Sequence, residues 1–281
     1  MNTRLPSALE LDRRAYRQQR ARRSVLVAIA STIVFAAVIW LTVVRTPGWA
    51  EVQRAFFDPQ VALRSLPKVW EGFALNLQVL GLSVITVAAV ALLLATLRTL
   101  RGPIFFPLRA LAAAYTDIFR GLPFIIVLYL VGFGIPTVAN QRLSPVLLGT
   151  LAVTLTYSAY VSEVIRAGIE AVHPSQRLAA RGLGLTHLQT LRRVVMPQAL
   201  RKVTPPLMND FVSMQKDVGL ISILGAVDAV RAAQLVQAQT YNFTPYIVAG
   251  ILFILLAIPT IRLTDWYTAR LREREQTGSI V

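Results

Sequence analysis

Cysteine is absent from the 281 residues, so neither a disulfide framework nor a thiolate site is available. Histidine occurs only at His173 and His187, too few to make a metal cage by themselves. The lysines are Lys68, Lys202 and Lys216, and none falls in G-x-x-x-x-G-K-[ST]; with no P-loop the chain reads as a non-enzyme that hydrolyses no ATP of its own. Charge is scarce: 15% of residues carry one, against about a quarter in an average soluble domain, while 55% are hydrophobic. Acidic residues are scarcer still, 14 against 29 Lys and Arg, for a net charge of +15. Such an excess can serve nucleic acid, but here the basic residues flank uncharged runs, the pattern of membrane topology, which argues against a nucleic-acid partner.

Long uncharged runs are what the chain has in their place. Residues 24–44 lie between Arg23 and Arg45, long enough for a bilayer-crossing helix and too long, without a small-residue cleavage site, for a signal peptide. Runs at 72–97, 121–141, 143–162 and 243–261 predict further spans. Residues 115–120 are expected to continue the helix of 121–141, with Pro123 tolerated near its start. Another span, residues 203–224, carries Asp210, Lys216 and Asp217, which need water or protein around them. The predicted fold class is an all-α integral membrane protein with about six transmembrane helices.

Sidedness follows from Lys and Arg in short loops. Arg4, Arg13, Arg14, Arg17, Arg20, Arg22, Arg23, Arg98, Arg101, Arg109, the 163–202 loop, Arg262, Arg270, Arg272 and Arg274 fall on one side, which places both termini in the cytosol. The organisation read from this is a basic cytosolic tail at 1–23, a first span at 24–44, and an external connector at 45–71 with room for a short surface helix. A membrane core follows at 72–262 with a cytosolic loop at 170–202, then a cytosolic tail at 263–281. No internal repeat is visible, so any symmetry must come from a second subunit.

The loop is the most structured feature between spans. Tyr160, Glu163, Arg166 or Ala167, and Glu170 recur at three and four residues and share one helix face. Pro174 suits the first turn of a short helix and Gly182 and Gly184 would end it, leaving about two turns over 175–181. A helix that short gains order by packing on something. Leu178, Ala179 and Ala180 offer it a small apolar surface between Arg177 and Arg181, a docking face for a soluble partner. Thr186 and Gln189 read as a capping box for a further helix, with Leu188, Leu191 and Val195 in a stripe, which Pro197 bends or ends. Spacing alone leaves open an amphipathic loop lying on anionic membrane lipid.

Within the spans Arg120, Glu163, Asp210, Lys216 and Asp217 are the costly groups, candidates for a transport path or for ion pairs that fix helix packing, and Asn209 can bond across helices. Asp117 and Asp210 admit an intramembrane aspartyl protease in principle, but no other feature requires one.

The segment YSAYVSEVIRAGIEAVHPSQRLAARGLGLTHLQTLRRVVMPQALRKVTPPLMNDFVSMQKDVGL, residues 157–220, resembles the cytoplasmic-loop signature of ABC-importer permeases of the polar amino acid uptake family, the histidine, glutamine and glutamate type. That signature runs E-x-x-R-G, G-Q-x-E-A-A-x-x-L-G, P-Q-A-L-R, P-P, N-x-F and K-D-T-S-L. Glu163 and Arg166 match its first part, and Gln176, Ala179, Ala180, Leu183 and Gly184 its second. Pro197, Gln198, Ala199, Leu200 and Arg201 match the third, followed by Pro205, Pro206, Asn209, Phe211, Lys216, Asp217 and Leu220. Upstream, Tyr115, Phe119, Arg120, Gly121 and Pro123 resemble the family's Y-x-x-x-F-R-G-T-P. The resemblance covers residues 70–262, and the first span lies outside it as an added anchor. Leu178 stands where the family has glutamate, Ala167 and Ser175 where it has glycine, and Val218 and Gly219 where it has Thr-Ser.

The resemblance implies a five-span permease core plus one N-terminal span in the bacterial cytoplasmic membrane. It implies no catalytic, cofactor or metal site in this chain; ATP and Mg would be bound by partner ABC ATPase subunits. A second permease subunit, identical or homologous, and an external substrate-binding protein would complete the importer, with polar amino acids as cargo. ATPase coupling would fall to Gln176, Leu178, Ala179, Ala180, Leu183 and Gly184. Arg120, Glu163, Asn209, Lys216 and Asp217 would form the substrate path or structural ion pairs. In related permeases the glutamate replaced here meets the ATPase by an ion pair, so apolar packing of Leu178 is expected to substitute. The rival is a secondary transporter or channel acting without an ATPase, which would need every site in this chain and gives no reason for a folded loop.

Overall fold

An apolar run in lipid must satisfy its own backbone, and the described residues do so with helices; no strand occurs among them. The computed structural model describes residues 8–100 and 102–278; Arg4 and Arg101, both used above to assign sidedness, lie outside these. The chain separates into two compact units, one ending at Phe57 and the other beginning at Asp58.

The first unit holds α1 (Ala8–Ile39), which passes into a π-helical turn at Trp40–Val44, and the short α2 (Trp49–Phe56). Tyr16–Val44 is long and apolar enough to cross a membrane.

In the second unit α3 (Pro59–Thr99) starts well ahead of the uncharged run at 72, so 59–71 is already part of that helix. Asp58 caps it, its Oδ1 accepting from the N–H of Gln60 at 2.9 Å and of Val61 at 3.2 Å, and Pro59 occupies the first turn, where a missing N–H does no harm. Hydropathy sees the lipid-facing part of such a helix and not its polar first turns.

A second correction concerns Pro123. Residues 115–120 do not continue into the next helix: α4 (Phe106–Gly121) and the segment Phe124–Ala139 meet at 108°. Leu122 is extended, ψ 134°, as a residue preceding proline tends to be, and Pro123 follows at φ −58°, ψ 135°. Beyond the bend α5 (Phe124–Tyr129) runs through a π-helical turn at Leu130–Gly134 into α6 (Ile135–Ala139).

Then come α7 (Pro145–Glu170), α8 (Pro174–Gly182) and α9 (His187–Thr190). Pro197 neither bends the chain away nor ends the helix. A π-helical turn at Leu191–Val195 widens the coil just before it and makes room for the proline ring, so α10 (Met196–Asp217) follows without a break. A 3-10 turn at Val218–Leu224 leads to α11 (Ala229–Thr240) and α12 (Thr244–Gly278). The polar stretch 231–242, outside the spans predicted above, is mostly α11: Ala229, Ala232, Ala233 and Val236 recur at helical spacing and are buried.

Among the described residues four helices are long and apolar enough to cross a membrane, or up to six if each bent pair counts as one span. At the centre Val79, Leu80 and Val87 of α3 pack on Val153 and Tyr157 of α7, with Met214, Val218 and Ile221 closing the cluster. Val69 and Phe73 of α3 pack on the alanines of α11 and on Ala249 of α12.

Candidate functional site

Local chemistry builds α8 from both ends. His173 caps it, Nδ1 accepting from the N–H of Ser175 at 3.2 Å, and Pro174 fills the first turn. At the other end Gly184 adopts φ +82°, the left-handed conformation that glycine takes without a steric penalty. This lets Leu185 N–H reach the Ala180 carbonyl at 3.2 Å and Gly184 N–H reach that of Arg181 at 3.0 Å, a Schellman closure. Thr186 and Gln189 form the capping box that starts α9, with Gln189 Oε1 accepting from Thr186 N–H at 2.9 Å.

The residues assigned to coupling divide between two faces. Leu178 is 71% exposed and Leu183 84%, with Gln176 and Ala179 exposed beside them. Ala180 is 4% exposed, on the side of α8 turned into the protein. Beneath the loop Val172, Val195 and Ala199 form a small core with Ile169 and Leu191.

A step back along α7, Glu163 gathers cations from three helices. Its Oε2 accepts from Arg98 Nη1 of α3 at 2.6 Å, and its Oε1 from Arg166 Nη2 one turn on at 2.5 Å. Arg120 Nη1 at the end of α4 stands 3.9 Å away. Arg166 also holds Glu170 at 2.5 Å. The Glu163 carboxylate is largely enclosed, and charge-assisted bonds of this kind are among the stronger ones available to a partly buried group. Tyr160 adds a bond from its hydroxyl to the Arg120 carbonyl at 3.2 Å. The network closes the ends of α3, α4 and α7 on one another.

The remaining predicted path residues sit apart from it. Asp217 accepts from the Tyr157 hydroxyl at 2.7 Å, while Lys216 beside it is exposed, as is Asn209. Asp210 turns Oδ2 into the protein, where no donor reaches it among the described residues. Deeper still, Asn76 bonds to the Val218 carbonyl at 2.7 Å and Asp228 at 3.1 Å and receives Ala229 N–H at 3.1 Å, which ties α3 to the start of α11.

Residues 102–273 match the family described as binding-protein-dependent transport system inner membrane component. The chain belongs to that family. Relatives of this inner membrane component include the arginine transport system permease protein ArtQ of Bacillus subtilis, 30% identical over 204 residues, 72% of this chain and 91% of that one. The putative glutamine transport system permease protein GlnP of Rickettsia conorii is 34% identical over 200 residues, 70% of this chain and 90% of that one. Among solved structures, an amino acid ABC transporter crystallised with histidines superposes with a TM-score of 0.69 at 31% identity, covering 76% of this chain and 98% of that one. The MetNI methionine ABC transporter shares the fold, with a TM-score of 0.52 at 20% identity, covering 76% and 99%. As a multi-pass inner membrane component of a transport system the chain is a transport subunit, and the resemblance stated from its loop motifs holds.

Sequence reasoning missed Arg98 as a partner of Glu163, because the two are 65 residues apart and Arg98 reads as one more loop cation. Asn76 carried a usable signal, one of two polar amides, with Gln78, inside the uncharged run of α3. Arg177 and Lys202 gave none, since both look like ordinary surface charge.

Proposed function

We propose that the chain is the permease subunit of an ATP-driven ABC importer of polar amino acids, and that α8 is its coupling helix. ATPase subunits dock at the loop 170–202 and bind the ATP and Mg; a second permease subunit, identical or homologous, closes the path; an external binding protein delivers the substrate. Both termini face the cytosol under this reading, in keeping with the arginines at 13–23 that precede the apolar part of α1. The cargo class is supported by the relatives, whose names specify arginine and glutamine.

The observation that carries the reading is α8 itself. Its ends are locally fixed, Ala180 is buried on its inner side, and Leu178 and Leu183 stand exposed on the loop in a form that a cleft on a soluble partner would cover. With Leu178 in the position of the family's acid, the contact rests on apolar fit. ATP binding would close the ATPases, turn α8 and open the path toward the binding protein.

Purification from the native membrane tests this. An ATPase subunit is expected to copurify, and vesicles holding the complex should take up labelled polar amino acid only with ATP on the ATPase side. Uptake that proceeds without ATP or without such a subunit would establish the secondary-transporter reading instead.

A further inference from the structure

The last carbonyls of a helix have no donor within it, and together they carry partial negative charge. At the end of α7, cations from two different elements supply donors. Arg177 of α8 donates from Nη2 to the Ile169 carbonyl, and Lys202 of α10 donates from Nζ to the Ala171 carbonyl at 2.7 Å. The backbone alone serves Ile169 poorly, through Val172 N–H at 3.4 Å. Val172, 1% exposed, packs on Val195 and Ala199 in the same region, so the two charge-assisted bonds flank an apolar core.

A docking helix joined to a span by a short turn can swing without moving that span. Here the turn is braced. Arg177 lies one residue before Leu178, part-buried and directed into its own chain, whereas Leu178 is directed away from it. Any displacement of α8 therefore pulls on the end of α7 through Ile169, and Lys202 ties α10 to the same end. Seven residues earlier on α7 stands Glu163, held by Arg98 of α3 and faced by Arg120 of α4.

We propose that Arg177 and Lys202 are positioning residues for coupling: they clamp the C-terminal carbonyls of α7 between α8 and α10, so that movement of α8 is delivered to Glu163 and the helix ends around it. This rests on reading α8 as the ATPase-docking helix. It explains how a loop without the family's acidic contact still carries force, because docking and transmission are separate tasks borne by opposite sides of one helix.

The test uses the full chain reconstituted in vesicles with its copurified ATPase and binding protein. Arg177→Met and Lys202→Met are each compared with wild type and with Arg177→Lys, and three quantities are read: ATPase retained, ATP hydrolysed, and substrate taken up per ATP. The proposal expects retention and hydrolysis close to wild type and a fall of about tenfold in uptake per ATP for Arg177→Met. A smaller fall is expected for Lys202→Met, with substantial recovery in Arg177→Lys, whose ammonium still reaches a carbonyl. Unchanged uptake per ATP in both Met variants overturns the clamp and leaves the importer reading standing. Loss of the ATPase from Arg177→Met alone also overturns it, since Arg177 would then serve docking. An ATPase absent from the wild-type complex overturns the underlying reading of α8 and the clamp with it. If Arg177→Met fails to insert, Lys202→Met decides the matter from the other side of the same carbonyls.

Discussion

Helices α7 and α12 both pass for membrane spans, yet they use their surfaces in opposite ways. The most apolar stretch of α12 is 11% buried, whereas that of α7 is 61% buried although α7 is the less apolar of the two. Lipid is as apolar as leucine, so apolarity gives a helix no reason to leave it; close packing and bonds between helices do. Accordingly α7 buries Gly149, Thr154, Ser158, Ala159, Ser162 and Gly168, while Ile254, Leu255 and Ile258 of α12 stay exposed. The span that a hydropathy reading ranks lower is the one around which the unit is built.

Three substitutions probe this contrast, in falling order of effect. Glu163→Gln on α7 leaves Arg98 without its anion and Arg166 with Glu170 alone, and removal of one partner from a largely enclosed pair costs about 3–5 kcal/mol. The expected result is a clear drop in thermal stability of the purified protein with loss of uptake; a wild-type melting temperature would show that the network is dispensable. Gly168→Leu comes next. A Cβ there would lie 2.0 Å from Val203 Cγ1 and 3.4 Å from the Ala199 carbonyl, so α7 and α10 must move apart, at about 1–3 kcal/mol. Melting in detergent and protease sensitivity of the loop should both report it. Leu255→Ala on α12 should change stability by no more than about 0.5 kcal/mol in the isolated chain. A larger loss in the assembled importer than in the isolated chain would reveal that a second subunit covers this face, which would narrow the contrast to the single chain.

The parts of the fold that were legible in the sequence are those with local causes. The ends of α8 could be placed from Pro174 and Gly184, and the start of α9 from Thr186 and Gln189. Pro123 was visible too, but its consequence was misjudged: tolerance of proline in a span depends on whether neighbours satisfy the freed groups, and here the chain turns instead. The helix α11 was overlooked although Ala229, Ala232, Ala233 and Val236 have helical spacing, because alanine is weakly apolar and the intervening residues are polar. Within the candidate site, Gln176, Leu178, Ala179 and Leu183 lie together on an outward side, but nothing in their order separated Ala180 from them. That depends on which side of α8 meets Val172 and its neighbours.

By itself the sequence determined the helical membrane class, the position of the loop and the local geometry of α8, since each follows from lipid solvation or from residues within a turn of one another. Tertiary structure alone decided that Glu163 meets Arg98, that Asp217 meets Tyr157 and that Arg177 meets the end of α7. Those partners come from different helices, and a charge in a helix finds its counterpart only once packing has fixed which helices are neighbours and at what height.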